Sequence, residues 1–562
     1  MDEKLKYALI IAFVLNAAFV LSNFQARTYD SYEHIFFANH YRTSWFDTWE
    51  PKWYGGFTVT SYPPLAHQAI ALLSFAVGLE WSYDILTLSL MTIFPLAVYL
   101  FSKRFVSEKG AVYAGFISVF VPSILQAIYS FGQFPSLFGL VAGLFTIVYL
   151  SKFLVDGHWI DLTIALSLLG VTVSAHHFTA IFLVPMLVIV LVLDTFLRRK
   201  EIPIAKLLRR ISIFVVLGIA LCVLIIYPYW YFSLFNGINM TPIPHLTREN
   251  ILFNNLGFEL FFWNIYGSII FLVPFFIILV LKEKRLFVLF LGGLILLILG
   301  LGGTTPLPQL LFGRSWEVLT YDRFGLWASV LFLPLIGQLF FEYRIKFKTK
   351  KVYKMLLMAF FAILILTGTY AATRSLEPGG ISVSTIDPVV EFLNNPQTQS
   401  WRYLTLGLGE APMLKLSVYA NASNVDGYYY FVRDDPLLSK SGVGSLDTAK
   451  FYGEKGLTVL GEVLANASKY SLRWVICADP TYYPILKNNS FVERWSQDST
   501  GDGRFGGTTI WEYNGTIPVY VPNKIQEENS PLNNYIWGIG PPLTLFATLL
   551  LLATKKIKKA GY

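Results

Sequence analysis

The sequence predicts an α-helical polytopic membrane protein that carries one extracytoplasmic α/β or α+β domain. Three observations support this fold class. Of the 562 residues, 54% are hydrophobic and only 14% are charged. Apolar runs of about 20 residues, the length that spans a bilayer as a helix, recur along most of the chain. One long stretch, residues 372–532, is instead polar and rich in turn-forming residues.

The net charge of +8 does not indicate nucleic-acid binding, because the lysines and arginines lie in short clusters between apolar runs. This is the positive-inside pattern of cytoplasmic loops. The two cysteines, Cys222 and Cys477, are far apart and form no metal or redox motif. Walker-type phosphate loops and the Gly-x-Ser-x-Gly motif are also absent, so nucleotide-driven chemistry is not expected.

The apolar runs predict the order of the membrane segments. Residues 5–24 lack a convincing signal-peptide cleavage site and are predicted to be a retained span. Residues 65–79 are predicted to form an interfacial helix, because a crossing there would place the later cluster of Lys103, Arg104 and Lys109 outside. The remaining runs alternate in direction, giving about twelve spans with both termini cytoplasmic. After the first, these are residues 85–101, 111–129, 136–150, 160–175, 178–197, 211–230, 261–281, 286–301, 324–341, 355–371 and 535–553.

The polar region has the composition of a separate domain. Short β-like runs at residues 401–406, 473–478 and 508–513 alternate with turn clusters, which favours an α/β or α+β domain of ordinary size. We therefore expect a transmembrane module at 1–371, an extracytoplasmic domain at 372–532, and a final span with a basic tail at 533–562. The domain contains four N-x-S/T sequons, which support its extracytoplasmic exposure: Asn421, Asn466, Asn488 and Asn514.

The first external loop, residues 25–65, contains the strongest candidate for a catalytic site. If a helix continues from Asp30, Glu33 and His34 fall three and four residues later and face the same way. Two carboxylates and an imidazole on one face could perform acid–base chemistry, and Asp30 and His34 could ligate a divalent cation. The alternative is a solvated amphipathic helix that lies on the lipid headgroups.

Few cations lie on the predicted outer side before the polar domain: Arg27, Arg42, Lys52, Arg248, Arg314 and Arg323. A lipid phosphate in that leaflet would depend on such residues, and arginine suits it because its guanidinium binds phosphate oxygens in a fork. We expect Arg323, Arg42 and Lys52 to bind phosphate. The alternatives for Arg323 are an ion pair with Asp322 or snorkelling to the interface.

Histidines and aromatic residues on the same side are candidates for substrate contact. His176 and His177 lie at the outer end of a short span, where they could contact substrate, ligate a metal or cap the turn. Trp53 and Tyr62 belong to the aromatic residues of the first loop. They could stack on sugar rings or form an interfacial aromatic belt.

Together these features resemble the GT-C superfamily of membrane glycosyltransferases. The tightest likeness is at residues 29–65, where an acidic residue after the first span is followed by aromatic residues, Gly55-Gly56 and Tyr62-Pro63-Pro64-Leu65. The chain is particularly similar to prokaryotic membrane proteins labelled "6-pyruvoyl-tetrahydropterin synthase-related", a label that is not evidence for pterin chemistry. The resemblance covers residues 5 to about 341. Outside the tight motif it is weaker, and it includes His176-His177 and Arg323.

The resemblance implies transfer of a sugar from a polyprenyl-phosphate donor to a glycan, lipid or protein acceptor at the outer face of the cell membrane. It implies that Asp30 is the base or a ligand of Mg²⁺ or Mn²⁺. The sequence lacks a second Asp-x-Asp or Glu-x-Asp motif, and its polar domain lacks the Trp-Trp-Asp motif of oligosaccharyltransferases. Metal dependence and transfer of a whole glycan to asparagine are therefore not supported by these motifs.

Two other functions remain open at this point. A lipid-linked-sugar transporter or flippase would need polar residues at mid-membrane and inverted repeats, whereas most spans have almost no charge at their centres and no internal repeat is evident. A non-catalytic cell-envelope assembly protein would bind partners through its polar domain and would not need Asp30. Whether the protein is a glycosyltransferase, a transporter or an assembly protein, we expect membrane lipid to surround its apolar helices.

Overall fold

The computed structural model describes residues 2–198, 202–237, 242–346, 351–374, 381–496, 507–522 and 531–560. The first half of the membrane part contains α1 (Glu3–Leu21), α2 (Ser31–Thr43), α3 (Leu65–Val77), α4 (Leu79–Phe105), α5 (Glu108–Ser118), α6 (Pro122–Tyr129), α7 (Phe134–Asp156), α8 (Trp159–Ala175) and α9 (Val184–Leu197). The second half contains α10 (Ile204–Ile225), α11 (Tyr227–Tyr231), α12 (Asn255–Phe258), α13 (Asn264–Tyr266), α14 (Phe276–Lys282), α15 (Leu286–Gly300), α16 (Leu307–Phe312), α17 (Asp322–Lys346) and α18 (Lys351–Thr373).

Ten helical stretches in the described residues are long and apolar enough to cross a membrane. They coincide with ten of the twelve predicted spans. The other two predicted spans coincide with the shorter apolar helices α8 and α15, and the predicted interfacial helix is the third short one, α3. Apolar run length thus located the helices well, because the thickness of the hydrocarbon layer sets the length of each run.

The junction between α3 and α4 differs from the prediction. The second span was expected to begin at residue 85, but α4 begins at Leu79 and runs for 27 residues. Gly78 separates the two helices with a φ of +84°, a backbone conformation that L side chains rarely adopt. The charged residues Glu80 and Asp84 therefore lie on the first turns of α4.

The most enclosed span is α17, which has 94% of its most apolar window buried inside the protein. It packs against α5 and α15 at the centre of the membrane part. By contrast, only 11% of the corresponding window of α10 is buried, so α10 lies at the periphery. Because Arg323 is in the first turn of α17, its backbone is held by the core of the bundle.

The polar region folds around one mixed sheet. Its elements are α19 (Asp387–Asn394), β3 (Arg402–Leu406), α20 (Glu410–Tyr419), α21 (Pro436–Ser439), α22 (Gly453–Ala465), β4 (Leu472–Cys477), α23 (Tyr483–Asn488), β5 (Phe491–Ser496) and β6 (Thr509–Tyr513). The strand order is β3-β4-β6-β5, with β3 and β4 parallel and the other pairs antiparallel. Three of these strands were predicted within two residues, whereas β5 was missed. A two-stranded ribbon, β1 (Trp49–Glu50) with β2 (Phe57–Thr58), lies in the first loop.

The sheet-containing domain packs directly on the first loop. Its helix α20 packs against α2, and one continuous apolar core includes buried residues of both, such as Phe36 and Leu414. Of the thirteen residues of α2, ten are buried, so this helix is not a solvated helix on lipid headgroups. The first loop is instead enclosed between membrane helices and the domain.

The last helix, α24 (Pro531–Ala560), also holds the first loop. Trp45 Nε1 donates to the Gly538 carbonyl oxygen at 2.9 Å, and Gln68 Nε2 donates to the Trp537 carbonyl oxygen at 3.0 Å. The indole of Trp537 donates to the Tyr41 hydroxyl at 2.8 Å. With the bond from Thr48 Oγ1 to Asn534 Oδ1 at 3.4 Å, four hydrogen bonds tie α24 to the first loop and the helices beside it.

Candidate functional site

Asp30 lies at the start of α2, and its carboxylate does not cap that helix. Its backbone amide donates to the Phe131 carbonyl oxygen at 2.9 Å, while its Oδ1 accepts a hydrogen bond from the Tyr428 hydroxyl at 3.1 Å. Burial raises the pKa of Asp30 to about 6, although the charge of Arg323 and the Tyr428 hydrogen bond lower it. At neutral pH the group is therefore mostly a carboxylate with the basicity that a general base needs.

Glu33 lies one helical turn further and is more deeply buried than Asp30. Its side chain is buried, and burial raises its pKa well above the ordinary value, with a further contribution from the charge of Asp30. Burial therefore favours the protonated form of Glu33, which can donate a hydrogen bond. Neighbouring carboxyl groups with separated pKa values are typical of sites that need an acid and a base.

His34 shares α2 with both carboxyl groups and is buried against α3. Its Nδ1 lies 3.1 Å from Nε2 of His67, so one ring nitrogen donates to the other. Burial lowers the pKa of His34 to about 3, with a smaller contribution from the charge of Arg323. His34 is therefore a neutral hydrogen-bonding group at physiological pH.

The expected metal site at Asp30 and His34 lacks further ligands. Across the described ranges of the chain, no three His, Cys, Asp or Glu side chains come together in a way that could hold a metal ion. Nδ1 of His34 is engaged with His67, which leaves only its Nε2 as a potential ligand. The donor set does not fit a resident Mg²⁺ or Mn²⁺ ion, and the mechanism below uses none.

Arg323 is the cation of this cluster. Its Nη1 donates to Thr320 Oγ1 at 3.2 Å, its guanidinium lies 5.5 Å from the centre of the Phe178 ring, and its buried Nε has no hydrogen-bond partner among the described residues. The expected alternative, a pair with Asp322, is not formed, since Asp322 accepts from Gln133 Nε2 at 3.4 Å. A half-buried guanidinium without a carboxylate partner is suited to bind an anion.

The two predicted histidines at the end of α8 differ in their surroundings. Nδ1 of His176 lies 2.8 Å from Thr179 Oγ1 and also accepts from the Thr179 amide, so His176 caps the turn into the next span. His177 packs its ring 4.8 Å from Tyr229 and 6.4 Å from Tyr62, and its buried Nδ1 has no hydrogen-bond partner in the described chain. Nδ1 of His177 is therefore available to a substrate, whereas Nδ1 of His176 is not.

Tyr62 joins this cluster, whereas Trp53 does not. The Tyr62 ring lies 5.2 Å from His67 and 5.8 Å from Tyr429. Trp53 is fully buried and stacks on Phe36 at 3.8 Å, with Gly427 of the domain close against its ring. Trp53 was expected to bind substrate, but its ring faces are covered by protein, so its role is to pack the loop.

Two of the three predicted phosphate-binding cations lie away from Asp30. An α-helix rises about 1.5 Å per residue, so Arg42, exposed near the end of α2, lies about 18 Å along its axis from Asp30. Lys52 donates through Nζ to the carbonyl oxygens of Ser417 and Val418 at 3.2 and 3.0 Å, which attaches the loop to α20. Of the three, Arg323 is the cation whose charge lowers the pKa of Asp30.

Sequence reasoning missed the residues that the domain contributes. In the run at residues 428–431, Tyr428 binds Asp30, and Tyr429 donates to the Ser61 carbonyl oxygen at 3.0 Å. Burial raises the pKa of Tyr430 to about 12, while the charges of Arg248 and Arg323 lower it, so both arginines lie near this hydroxyl. Arg248 resembles Arg323 in having a buried Nε without a partner in the described part of the molecule. The run of consecutive aromatic residues was the available signal.

The family model described as "6-pyruvoyl-tetrahydropterin synthase related domain; membrane protein" matches residues 59–375. The match begins near the end of the first loop, so it contains only the last part of the motif at residues 29–65. No protein among curated sequences gives a significant match.

Several solved structures share the architecture. ArnT from Cupriavidus metallidurans bound to undecaprenyl phosphate is 10% identical with a TM-score of 0.51, over 89% of this chain and 97% of that chain. The arabinofuranosyltransferase AftD from Mycobacteria is 11% identical with a TM-score of 0.57, over 92% of this chain and 42% of that chain. The oligosaccharyltransferase of Archaeoglobus fulgidus, in complex with Zn and sulfate, is 11% identical with a TM-score of 0.44, over 89% of this chain and 72% of that chain. The similarity to ArnT and AftD, at these low identities, shows that the chain has the GT-C fold.

Proposed function

The chain belongs to the family of 6-pyruvoyl-tetrahydropterin synthase related membrane proteins, and on that basis we propose that it is an integral-membrane glycosyltransferase. It transfers a sugar from a polyprenyl-phosphate donor to a hydroxyl-bearing acceptor, with Asp30 as base. The reaction takes place at the outer face of the membrane, where the first loop meets the domain, and both termini are cytoplasmic. The observation that carries the proposal is the half-buried Asp30 carboxylate beside the unpaired guanidinium of Arg323.

The geometry supports a direct displacement. Asp30 accepts the proton of the acceptor hydroxyl as its oxygen forms a bond to the anomeric carbon of the sugar. The bond from that carbon to the donor phosphate oxygen breaks, and the electron pair leaves with the polyprenyl phosphate. Arg323 stabilises the charge that develops on this leaving group, which is the interaction that lowers the barrier most in such reactions.

The remaining members of the cluster position the sugar. Glu33, whose protonated form is favoured by burial, and His177, whose Nδ1 has no partner among the described residues, offer hydrogen bonds to the sugar. Tyr62 supplies an aromatic face beside His67 and His177. A polyprenyl-phosphate donor agrees with the fold, since ArnT, which shares it, was solved with undecaprenyl phosphate bound. The acceptor is a glycan, a lipid or a protein.

Purified protein in detergent, given a panel of polyprenyl-phosphate sugars, tests the proposal through release of free polyprenyl phosphate. Wild type should turn over one donor, and Asp30→Asn should lose that turnover by about 10²- to 10⁴-fold, the usual contribution of a general base. Asp156→Asn, the same substitution at an exposed position at the end of α7, is the matched control. Turnover that withstands EDTA supports the metal-free mechanism. Full activity of Asp30→Asn, or inert donors throughout, would contradict it.

A further inference from the structure

A second candidate site lies at the opposite end of α17. A cavity of about 410 Å³ is formed there by the ends of α5, α17 and α18. Arg323 and Arg344 are at opposite ends of α17, so they are separated by about 32 Å along its axis. That distance is close to the thickness of the hydrocarbon core, about 30 Å. The cavity is therefore at the other membrane surface from Asp30, and it takes no part in the proposed reaction.

Positive charge collects at one end of this cavity. Arg344 and Lys354 line it, and Arg344 Nη1 donates to the hydroxyl of Tyr113, which also lines it. Lys4 of α1 adds a third cation, with Nζ 3.4 Å from the same hydroxyl and 5.0 Å from the ring centre. No carboxylate is among the described lining residues. The nearby Glu342 is paired with Lys282 at 2.6 Å.

The opposite end of the cavity is apolar. Leu357 and Phe361 follow Lys354 by three and seven residues, which places them on the same face of α18. Phe340 precedes Arg344 by one helical turn and stacks on Phe361 with ring centres 5.9 Å apart. A soluble anion would use the cations alone. A ligand that fills both ends must have an anionic head and an apolar chain.

We propose that this cavity binds an anionic phospholipid of the leaflet opposite to Asp30. The phosphate lies between Arg344 and Lys354, and one acyl chain lies along Phe340, Leu357 and Phe361. Basic pockets between membrane helices bind acidic lipid headgroups through the same combination of charge and depth. The volume is within the range of small-molecule sites, about 300 to 1,000 Å³.

The test is native mass spectrometry of the purified full chain, titrated in detergent with phosphatidylglycerol or phosphatidylcholine. Wild type should bind phosphatidylglycerol selectively. The double variant Arg344→Gln/Lys354→Gln should bind it about 10- to 30-fold more weakly. Each cation near an anionic headgroup strengthens binding by a factor of about three to five, and the variant lacks two of them. Both side chains are exposed, so the variant should fold. The double variant Lys206→Gln/Arg209→Gln on α10 removes the same charge at exposed positions and should bind like wild type.

Three results would overturn the proposal. One is unchanged phosphatidylglycerol binding by the Arg344→Gln/Lys354→Gln variant with normal thermal unfolding. Another is equally tight binding of glycerol phosphate, which has the head without the chains and would indicate a site for free phosphate. A third is preferential displacement of phosphatidylglycerol by polyprenyl phosphate at equal concentration. None of these readouts depends on sugar transfer, so the test stands apart from the proposed function.

Discussion

The hydroxyl of Tyr428 donates to Oδ1 of Asp30 at 3.1 Å, across 398 residues of sequence. The proposed base is therefore in the first loop, while one of the groups that sets its pKa is in the sheet-containing domain. The domain is part of the site and not only an appendage to it. This relationship leads to the first prediction.

Tyr428→Phe should raise the pKa of Asp30, because the lost hydrogen bond lowers that pKa in the wild type. A base works only when deprotonated, so the acidic limb of the kcat/KM profile should move to higher pH. Hydrogen bonds to charged groups are worth about 1.5 to 3 kcal/mol, so activity at pH 6 should fall about tenfold. Tyr429→Phe is the control. It also removes a phenolic hydroxyl, but one that donates to the Ser61 carbonyl oxygen and not to Asp30. Equal pH profiles for the two variants would refute the assignment.

Glu33→Gln should keep most of the turnover that Asp30→Asn loses. Burial raises the pKa of Glu33 and so favours its neutral form, and glutamine reproduces a neutral group of the same size. Steady-state kinetics of the two variants at pH 7 makes the comparison, with a loss below about tenfold expected for Glu33→Gln. If Glu33→Gln were the inactive variant, the roles of the two carboxyl groups would have to be exchanged.

Arg323→Gln should reduce kcat by about 10²- to 10³-fold, the usual effect of removing one stabilising donor from a developing anion. It should also move the acidic limb of the pH profile upward, because the charge of Arg323 lowers the pKa of Asp30. Arg42→Gln removes an exposed arginine from the far end of α2 and should leave both quantities unchanged. A matching loss in Arg42→Gln would mean that overall surface charge, and not the position of Arg323, matters.

Asp30→Asn should make the folded protein more stable at pH 8 but not at pH 4. The pKa of Asp30 is about 6 in the folded chain against 3.8 for the ordinary group, so the folded state holds the proton more tightly. Stability therefore falls as pH rises from about 4 to about 6, and the loss remains at higher pH. It amounts to at most about 3 kcal/mol, since part of the group is exposed. Thermal unfolding in detergent at the two pH values measures it, and an equal effect of Asp30→Asn at pH 4 and pH 8 would contradict the raised pKa.

The sequence was most informative where one physical constraint dominates. The helices of the membrane part followed from apolar run length, whereas the role of Asp30 stays a prediction. Trp53 and Lys52 were misassigned because both face the domain, and no local pattern reveals which side chains a distant segment will cover. Tyr428 was not predicted for the same reason, since its partner Asp30 is far away in the chain. The start of α4 was placed too late because Glu80 and Asp84 resemble loop residues.

The hydrogen bonds between α24 and the first loop have a consequence for the biosynthesis of the protein. Trp45 is synthesised 493 residues before Gly538, its hydrogen-bond partner. At translation rates of about 5 to 20 residues per second, about 25 to 100 s pass between the synthesis of Trp45 and that of Gly538. In the first part of this interval neither the domain nor the final helix has been made, and α24 is the later of the two to appear. We therefore expect the first loop of a newly made chain to reach its final packing only after α24 enters the membrane.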